Sequence, residues 1–168
     1  MIKILNPSTQ EQIQQVRALM RAFVDWHRER HIEDHELINE YFNARDFEEE
    51  LASLPGKYSP PRGRLLLAVK DDQPAGCAAL HEIDAKACEM KRMFVYPQFQ
   101  GQGVGRALAE ALIKEARTIG YAAILLDTSF RQDEAQGLYQ SLGFKKIEPY
   151  YELPKELQNW LVFMKLKL

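Results

Sequence analysis

Phe94-Val95-Tyr96-Pro97-Gln98-Phe99-Gln100-Gly101-Gln102-Gly103-Val104-Gly105-Arg106 is the stretch around which the chain is organised. An apolar run stops at a proline, three glycines follow at alternate positions, and a long regular apolar pattern begins at once, which reads as strand, tight loop, helix. Glycines at the mouth of a helix let a ligand approach the main chain closely, and the first N–H groups of a helix have no internal acceptor. Together with the helix dipole they make an anion site, most often for phosphate. The alternative is that Gly101, Gly103 and Gly105 only shape a turn.

Upstream of the loop, residues 64–70, 75–83 and 87–95 read as strands separated by turns at Asp71-Asp72-Gln73-Pro74 and Asp84-Ala85-Lys86, an antiparallel meander that feeds into the glycines. Downstream, Val104, Leu108, Ala111, Leu112, Ala116 and Ile119 give the next helix one apolar face, and Gly120 is its stop. The unbroken apolar run Ala122-Ala123-Ile124-Leu125-Leu126 predicts a strand buried on both faces and parallel to the one before the loop, with Asp127 at its end. A short helix over about Gln132 to Leu142, a strand from Phe144 to Ile147, a loop from Pro149 to Asn159 and a last strand from Trp160 to Leu168 complete the order. The last strand is a candidate for edge pairing in a homodimer; the sequence is equally compatible with a monomer.

At the N-terminal end, Ile2 to Leu5 predicts a short strand, and Ser8 with Glu11 predicts a capping box that opens a helix running to about Arg30. Leu37 to Phe42 and Phe47 to Leu54 continue as helical pieces, followed by the turn-rich loop Pro55 to Gly63. His27, His31 and His35 recur every four residues, a spacing that on an unbroken helix can hold a metal. No cysteine or well-placed carboxylate closes the set and Ile32-Glu33-Asp34 is a break point, so no metal is expected.

With 168 residues, 46% hydrophobic and 27% charged, the whole chain, 1–168, is expected to form one domain. The net charge of −2 argues against nucleic acid and leaves any anionic ligand to a local arrangement. Cys77 and Cys88 lack metal-ligand spacing and are expected as buried free thiols. The start has too short an apolar run for a signal peptide and no stretch approaches a membrane span, so no membrane partner and a cytoplasmic location are expected.

Strand, glycine loop, helix, strand imitates a dinucleotide-binding unit, but that unit needs G-x-G-x-x-G in its first tight turn, and the pattern here is G-x-G-x-G after a longer loop. Nor does Gly-Lys-Ser/Thr follow, as a P-loop requires. The chain instead resembles the GNAT acyltransferases. Their cofactor motif, Arg/Gln-x-x-Gly-x-Gly/Ala after a strand, is matched by Gln100 to Gly105, and a second motif, A-x-x-L-Y-x-x-x-G-F, by Ala135, Leu138, Tyr139, Gly143 and Phe144.

The resemblance implies an α/β fold of three layers, with a mixed, mostly antiparallel sheet of about seven strands between helices and splayed parallel strands at the cofactor site. It implies acetyl-coenzyme A as co-substrate and N-acetyl transfer to a primary amine of a small molecule or peptide. The pyrophosphate would lie on the N–H groups of Gln100, Gly101, Gln102, Gly103, Val104 and Gly105, with Arg106 adding charge. The pantetheine arm would lie against Met93, Phe94, Val95, Gln132 and Ala135. Many members carry Asn where this chain has Gln132.

Tyr139 matches the usual general acid; its alternative is an aromatic packed between helix and sheet. Glu89 falls where some members place a base; its alternative is a carboxylate paired with Lys91 or Arg92, and by period two it should share a face with Lys91 and Met93. Acceptor candidates are Trp26, His27, Tyr58, Tyr150 and Tyr151, each of which could equally be core. The rival to an enzyme is a non-catalytic acyl-coenzyme A sensor or interaction module on the same fold, against which the presence of Tyr139 argues.

Overall fold

A computed structural model describes all residues from Met1 to Leu168. The elements in chain order are β1 (Ile2–Leu5), α1 (Gln10–Arg30), α2 (His35–Tyr41), α3 (Ala44–Ala52), β2 (Arg64–Lys70), β3 (Gln73–Glu82), β4 (Ala87–Val95), α4 (Val104–Ile119), β5 (Ala123–Ser129), α5 (Asp133–Ser141), β6 (Lys145–Ile147), α6 (Lys155–Trp160) and β7 (Leu161–Lys167). The strands form one sheet of seven in the order β1-β2-β3-β4-β5-β7-β6. Only β4 and β5 pair in parallel; every other neighbouring pair is antiparallel. The expected mixed, mostly antiparallel sheet between helices is therefore present.

Each face of the sheet carries its own core. On one, Leu108, Leu112 and Ala116 of α4 meet Leu66, Leu80, Met90 and Ile124, and Tyr139 and Phe144 join from the α5 side. On the other, Val16, Leu19, Met20 and Val24 of α1, with Ile38, Phe47 and Leu51 from α2 and α3, cover Leu65, Leu67, Cys77 and Phe94. Each fully buried side chain of this kind stabilises the fold by about 1.5–3 kcal/mol. Cys77 and Cys88 are both free and buried, as expected, and burial pushes each thiol up to about 12. No helix is long and apolar enough to cross a membrane.

Three local expectations are corrected. The cap of α1 lies one residue later than read: extended Thr9 accepts from the Gln12 N–H at 3.1 Å, and Gln12 Oε1 accepts the Thr9 N–H at 3.3 Å, the same motif shifted by one position. By contrast, the end of α1 at Arg30 and the break at Ile32–Asp34, a 3-10 turn, are as expected, so the three histidines do not share a helix face. The segment read as a loop up to Asn159 contains α6, begun after Pro154 and anchored by buried Leu157 and Trp160. Finally, β7 is not an edge: it lies between β5 and β6, so the pairing proposed for a dimer through that strand has no free side.

The feature that positions the site is in β4. Cys77 pairs with Phe94 but Ala79 pairs with Lys91, leaving one extra residue in β4, and Arg92 there takes φ 58°. This is a β-bulge, and it reverses the alternation. Glu89 and Lys91 therefore do not share a face with Met93, as period two predicted; Met93 and Val95 join the α4 side, while Phe94 joins the α1 side.

Candidate active site

The pairing of β4 with β5 stops at Glu89 opposite Leu125. Beyond it, β4 continues against β3 to Val95 and β5 continues against β7 to Ser129, so the two parallel strands part like a fork. The Tyr96 N–H donates to Ala75 O on the β3 side. Val95, one residue earlier, turns its main chain toward the fork, where its carbonyl accepts from the Gln100 side chain at 3.0 Å.

The glycine loop closes one end of this fork. Gly101 (φ 74°) and Gly103 (φ 86°) hold left-handed conformations that a side chain would strain, and Gly103 is the N-cap of α4. None of the main-chain N–H groups from Gly101 to Arg106 donates to an acceptor within the chain. They make an open row of donors at a helix N-terminus, the arrangement that binds phosphate. The adjoining cleft, about 690 Å³, runs from these glycines past Val95 and Met93 to α5.

Most of the cofactor residues expected from sequence line that cleft: Met93, Phe94, Val95, Gln100, Gly101, Gly103, Gly105, Arg106, Gln132, Ala135 and Tyr139. Two do not. Gln102 turns its amide back to Gln98 O at 2.9 Å, and Val104 is packed in the core, which leaves only their N–H groups for a ligand. Arg106 donates to Ser141 Oγ at 2.7 Å, tying α4 to α5 across the cleft mouth. Gln132 Oε1 accepts from Thr128 Oγ1 (2.6 Å) and the Ser129 N–H (3.3 Å), so its Nε2 donors are left without a partner. The Gln132 amide thus keeps free donors beside the cleft it lines.

At the inner end of the fork lies a second, smaller cavity of about 80 Å³. Phe23, Met93, Gln132, Ala135 and Tyr139 line both spaces and mark their junction. The small cavity alone is lined by Tyr41, Lys91, Asp127 and Trp160 among others. Asp127 Oδ1 accepts the Tyr41 hydroxyl and Oδ2 the Tyr151 hydroxyl, each at 2.5 Å. Lys91 Nζ donates to the Tyr41 oxygen at 3.3 Å. Tyr139 itself is buried, and burial, with the Asp127 charge added, raises its hydroxyl above the ordinary tyrosine value, so it carries its proton at neutral pH.

Glu89 sits beside this cavity but does not line it. Its Oε1 meets His81 Nε2 at 2.8 Å, its Oε2 accepts the Tyr150 hydroxyl, and Lys91 Nζ stands 3.8 Å away. Burial would raise its carboxyl, but these three partners hold it down at about 2. A carboxylate so engaged is a weak base and lines neither space, which does not suit the base role expected for it.

The expected acceptor residues divide. His27 lines the small cavity. Trp26 instead lines the glycine-loop cleft, because it falls beside His27 on α1 and faces the next sector. Tyr58 is fully buried in the α1-side core. Tyr150 and Tyr151 line neither space; they act through Glu89 and Asp127, whose oxygens they hold. Tyr41, Lys91 and the role of Asp127 were not read from sequence, since the tyrosine–aspartate pair spans 86 positions and Lys91 needs the bulge to be placed. The one available signal was a lone acid closing the apolar run at Leu126.

His27 is 2% exposed, and its Nδ1 has no partner. Burial and neighbouring His31, opposed by Asp34, lower its value from 6.5 to about 4. Above pH 6.5 it is neutral folded or unfolded. Between 6.5 and 4 only the unfolded chain takes up its proton, so stability falls on acidification through that window. Denaturant unfolding should show the wild type losing about 2–3 kcal/mol more than His27→Gln between pH 7.5 and 4.5; equal losses would mean that the ring is solvated.

Comparison with known proteins shows the family and the fold. The acetyltransferase (GNAT) family model matches residues 17–144, and the chain belongs to that family, whose members use an acyl-coenzyme A. An uncharacterized N-acetyltransferase of Schizosaccharomyces pombe is 37% identical over 141 residues, 79% of this chain and 85% of the relative. Another, from Dictyostelium discoideum, is 28% identical over 219 aligned positions, 94% and 95% of the two chains. Among solved structures, a PaiA N-acetyltransferase of Thermoplasma acidophilum, in complex with coenzyme A, shares the fold with a TM-score of 0.73 at 20% identity, over 100% of this chain and 99% of that one.

Proposed function

We propose that the protein moves the acetyl group of acetyl-coenzyme A to the primary amine of a small molecule, by direct attack within a ternary complex. The observation that carries this reading is the junction: Met93 and Tyr139 line both the glycine-loop cleft and the small cavity, so ligands held in the two spaces would meet at these residues. Acetyl-coenzyme A, when bound, supplies an activated acyl carbon and a thiolate leaving group. The N–H row from Gly101 to Arg106 holds its pyrophosphate, and Val95 and the free Gln132 amide take the pantetheine arm.

At the junction, the Met93 N–H donates to the thioester oxygen as it gains charge. The amine must arrive neutral, since an alkylammonium has no lone pair. As its nitrogen bonds to the acyl carbon and the carbon–sulfur bond breaks, Tyr139 would hold the departing sulfur by a hydrogen bond, and the proton lost by the nitrogen would pass through water to the thiolate. Glu89 is a positioning residue here, holding Tyr150 and steadying Lys91. The non-catalytic sensor is the weaker reading, because it has no use for a protonated phenol at the meeting point of two cavities.

Free thiol release from acetyl-coenzyme A, measured against a panel of small amines, tests the proposal. Amine-dependent release is expected, and Gly103→Val, which strains the φ 86° cap, should raise the KM for acetyl-coenzyme A at least tenfold. Coenzyme A raising the melting temperature with no amine-dependent release would favour the sensor.

A further inference from the structure

The small cavity has two poles of opposite charge, and neither is saturated. Lys91 is the positive one. Its side chain is 15% exposed, its nearest carboxylate oxygen, on Glu89, stands at 3.8 Å, beyond hydrogen-bond distance, and that oxygen already meets His81 at 2.8 Å. The single hydrogen bond of its ammonium is to Tyr41 at 3.3 Å. Other cations nearby are committed: Arg92 is forked onto Glu50 at 2.8 and 3.1 Å, with Lys57 also at Glu50 at 3.5 Å. Lys91 is thus a mostly buried cation with two N–H donors to spare, facing a cavity.

Asp127 is the negative pole. Both its oxygens accept tyrosine hydroxyls, and a carboxylate oxygen has room for a second donor. The Tyr41 hydroxyl joins the two poles, accepting from Lys91 and donating to Asp127. His27, in the same wall, adds a buried Nδ1 with no partner at all. Phe23, Phe42 and Trp160 complete the wall with aromatic surface, and the volume of about 80 Å³ admits only a compact ligand.

A simple alkylamine would satisfy Asp127 and leave the two spare N–H donors of Lys91 facing it unpaired, at a desolvation cost. A polyamine would set a second cation against Lys91. A small zwitterion matches both poles and leaves the net charge of the site unchanged. We infer, on the strength of the acetyltransferase reading, that the acceptor is a small amino acid, with its carboxylate on Lys91 and its amino group directed by Asp127 toward the junction at Tyr139 and Met93. The carboxylate selects; the amino group, once neutral, reacts. The reaction consumes a free amino acid and acetyl-coenzyme A and yields an N-acetylamino acid, coenzyme A and one proton.

Matched acceptor pairs test this: a set of small amino acids and, for each, the amine that lacks only the carboxyl group, such as β-alanine and ethylamine. Across the set, the preferred amino acid should exceed its decarboxylated partner in kcat/KM by about 10–100-fold, the range for one charge-assisted hydrogen bond. Lys91→Met should collapse that ratio toward one through KM, and Lys91→Arg should restore most of it. Calorimetric titration of the same pairs into the chain saturated with coenzyme A should show the same preference without turnover. Decarboxylated amines turned over or bound as well as the amino acids would overturn the acceptor assignment and leave acetyl transfer standing. No thiol release with any amine, together with no shift of the melting temperature by coenzyme A, would overturn both.

Discussion

Tyr139→Phe should lower kcat by about 100-fold while leaving the affinity for coenzyme A within a factor of about three. The substitution is unusually clean here. The Tyr139 hydroxyl makes no hydrogen bond within the chain, and its ring packs against Phe144 at 5.7 Å, a contact that phenylalanine keeps. Stability should therefore change little, and any loss of rate belongs to the hydroxyl. The size of the effect follows from the direction of its shift. Burial, then Asp127, raises the phenol above its ordinary value, so it is protonated but reluctant to give the proton up entirely. Its contribution is a hydrogen bond that strengthens as charge collects on sulfur, which places it at the lower end of the range for general acids. Steady-state kinetics with thiol detection, beside a coenzyme A titration, check the prediction. An unchanged kcat would remove Tyr139 from the chemistry and return it to packing.

What could be read beforehand depended on how local each signal was. The strand, loop and helix from Phe94 onward are written in consecutive residues, with glycines where φ turns positive at Gly101 and Gly103, so that unit was legible. The second motif places Tyr139 within ten residues of sequence, and it too was found. The surroundings of the small cavity were not legible in the same way. It is assembled from Tyr41 in α2, Lys91 in β4, Asp127 in β5 and Tyr151 before α6, whose proximity exists only after the sheet closes with β7 between β5 and β6. The bulge at Arg92 has no sequence signature, since nothing in Lys91-Arg92-Met93 favours a left-handed residue, yet it decides which side chains face which cavity. The aromatic candidates divided for a different reason: Tyr58 is a core ring while His27 lines the small cavity, and only tertiary packing separates a core ring from a cavity wall.

Arg92, the positive-φ residue of the bulge, forms a buried ion pair with Glu50, and Glu50→Ala should cost about 3–5 kcal/mol of unfolding free energy, the range for breaking a buried pair from one side. Arg92 and Glu50 have side chains only 10% and 13% exposed, and the guanidinium lies 5.3 and 5.2 Å from the ring centres of Phe42 and Phe47. Glu50 holds it with two hydrogen bonds, and its charge helps to raise the guanidinium value despite burial. Without Glu50, a full positive charge is left in an aromatic layer, with Lys57 nearby to repel it further. Ionic strength should have little influence, because the pair is shielded from counterions. Removing both partners, Glu50→Leu with Arg92→Met, should recover much of the loss, since no charge is then stranded. Denaturant titrations of the two single variants and the double variant close the cycle, with an unchanged m-value as the check that unfolding exposes the same surface. A Glu50→Ala loss below about 1 kcal/mol would mean that water reaches the guanidinium. The face reversal in β4, and with it the placement of Lys91 against the small cavity, would then rest on backbone pairing with β3 alone.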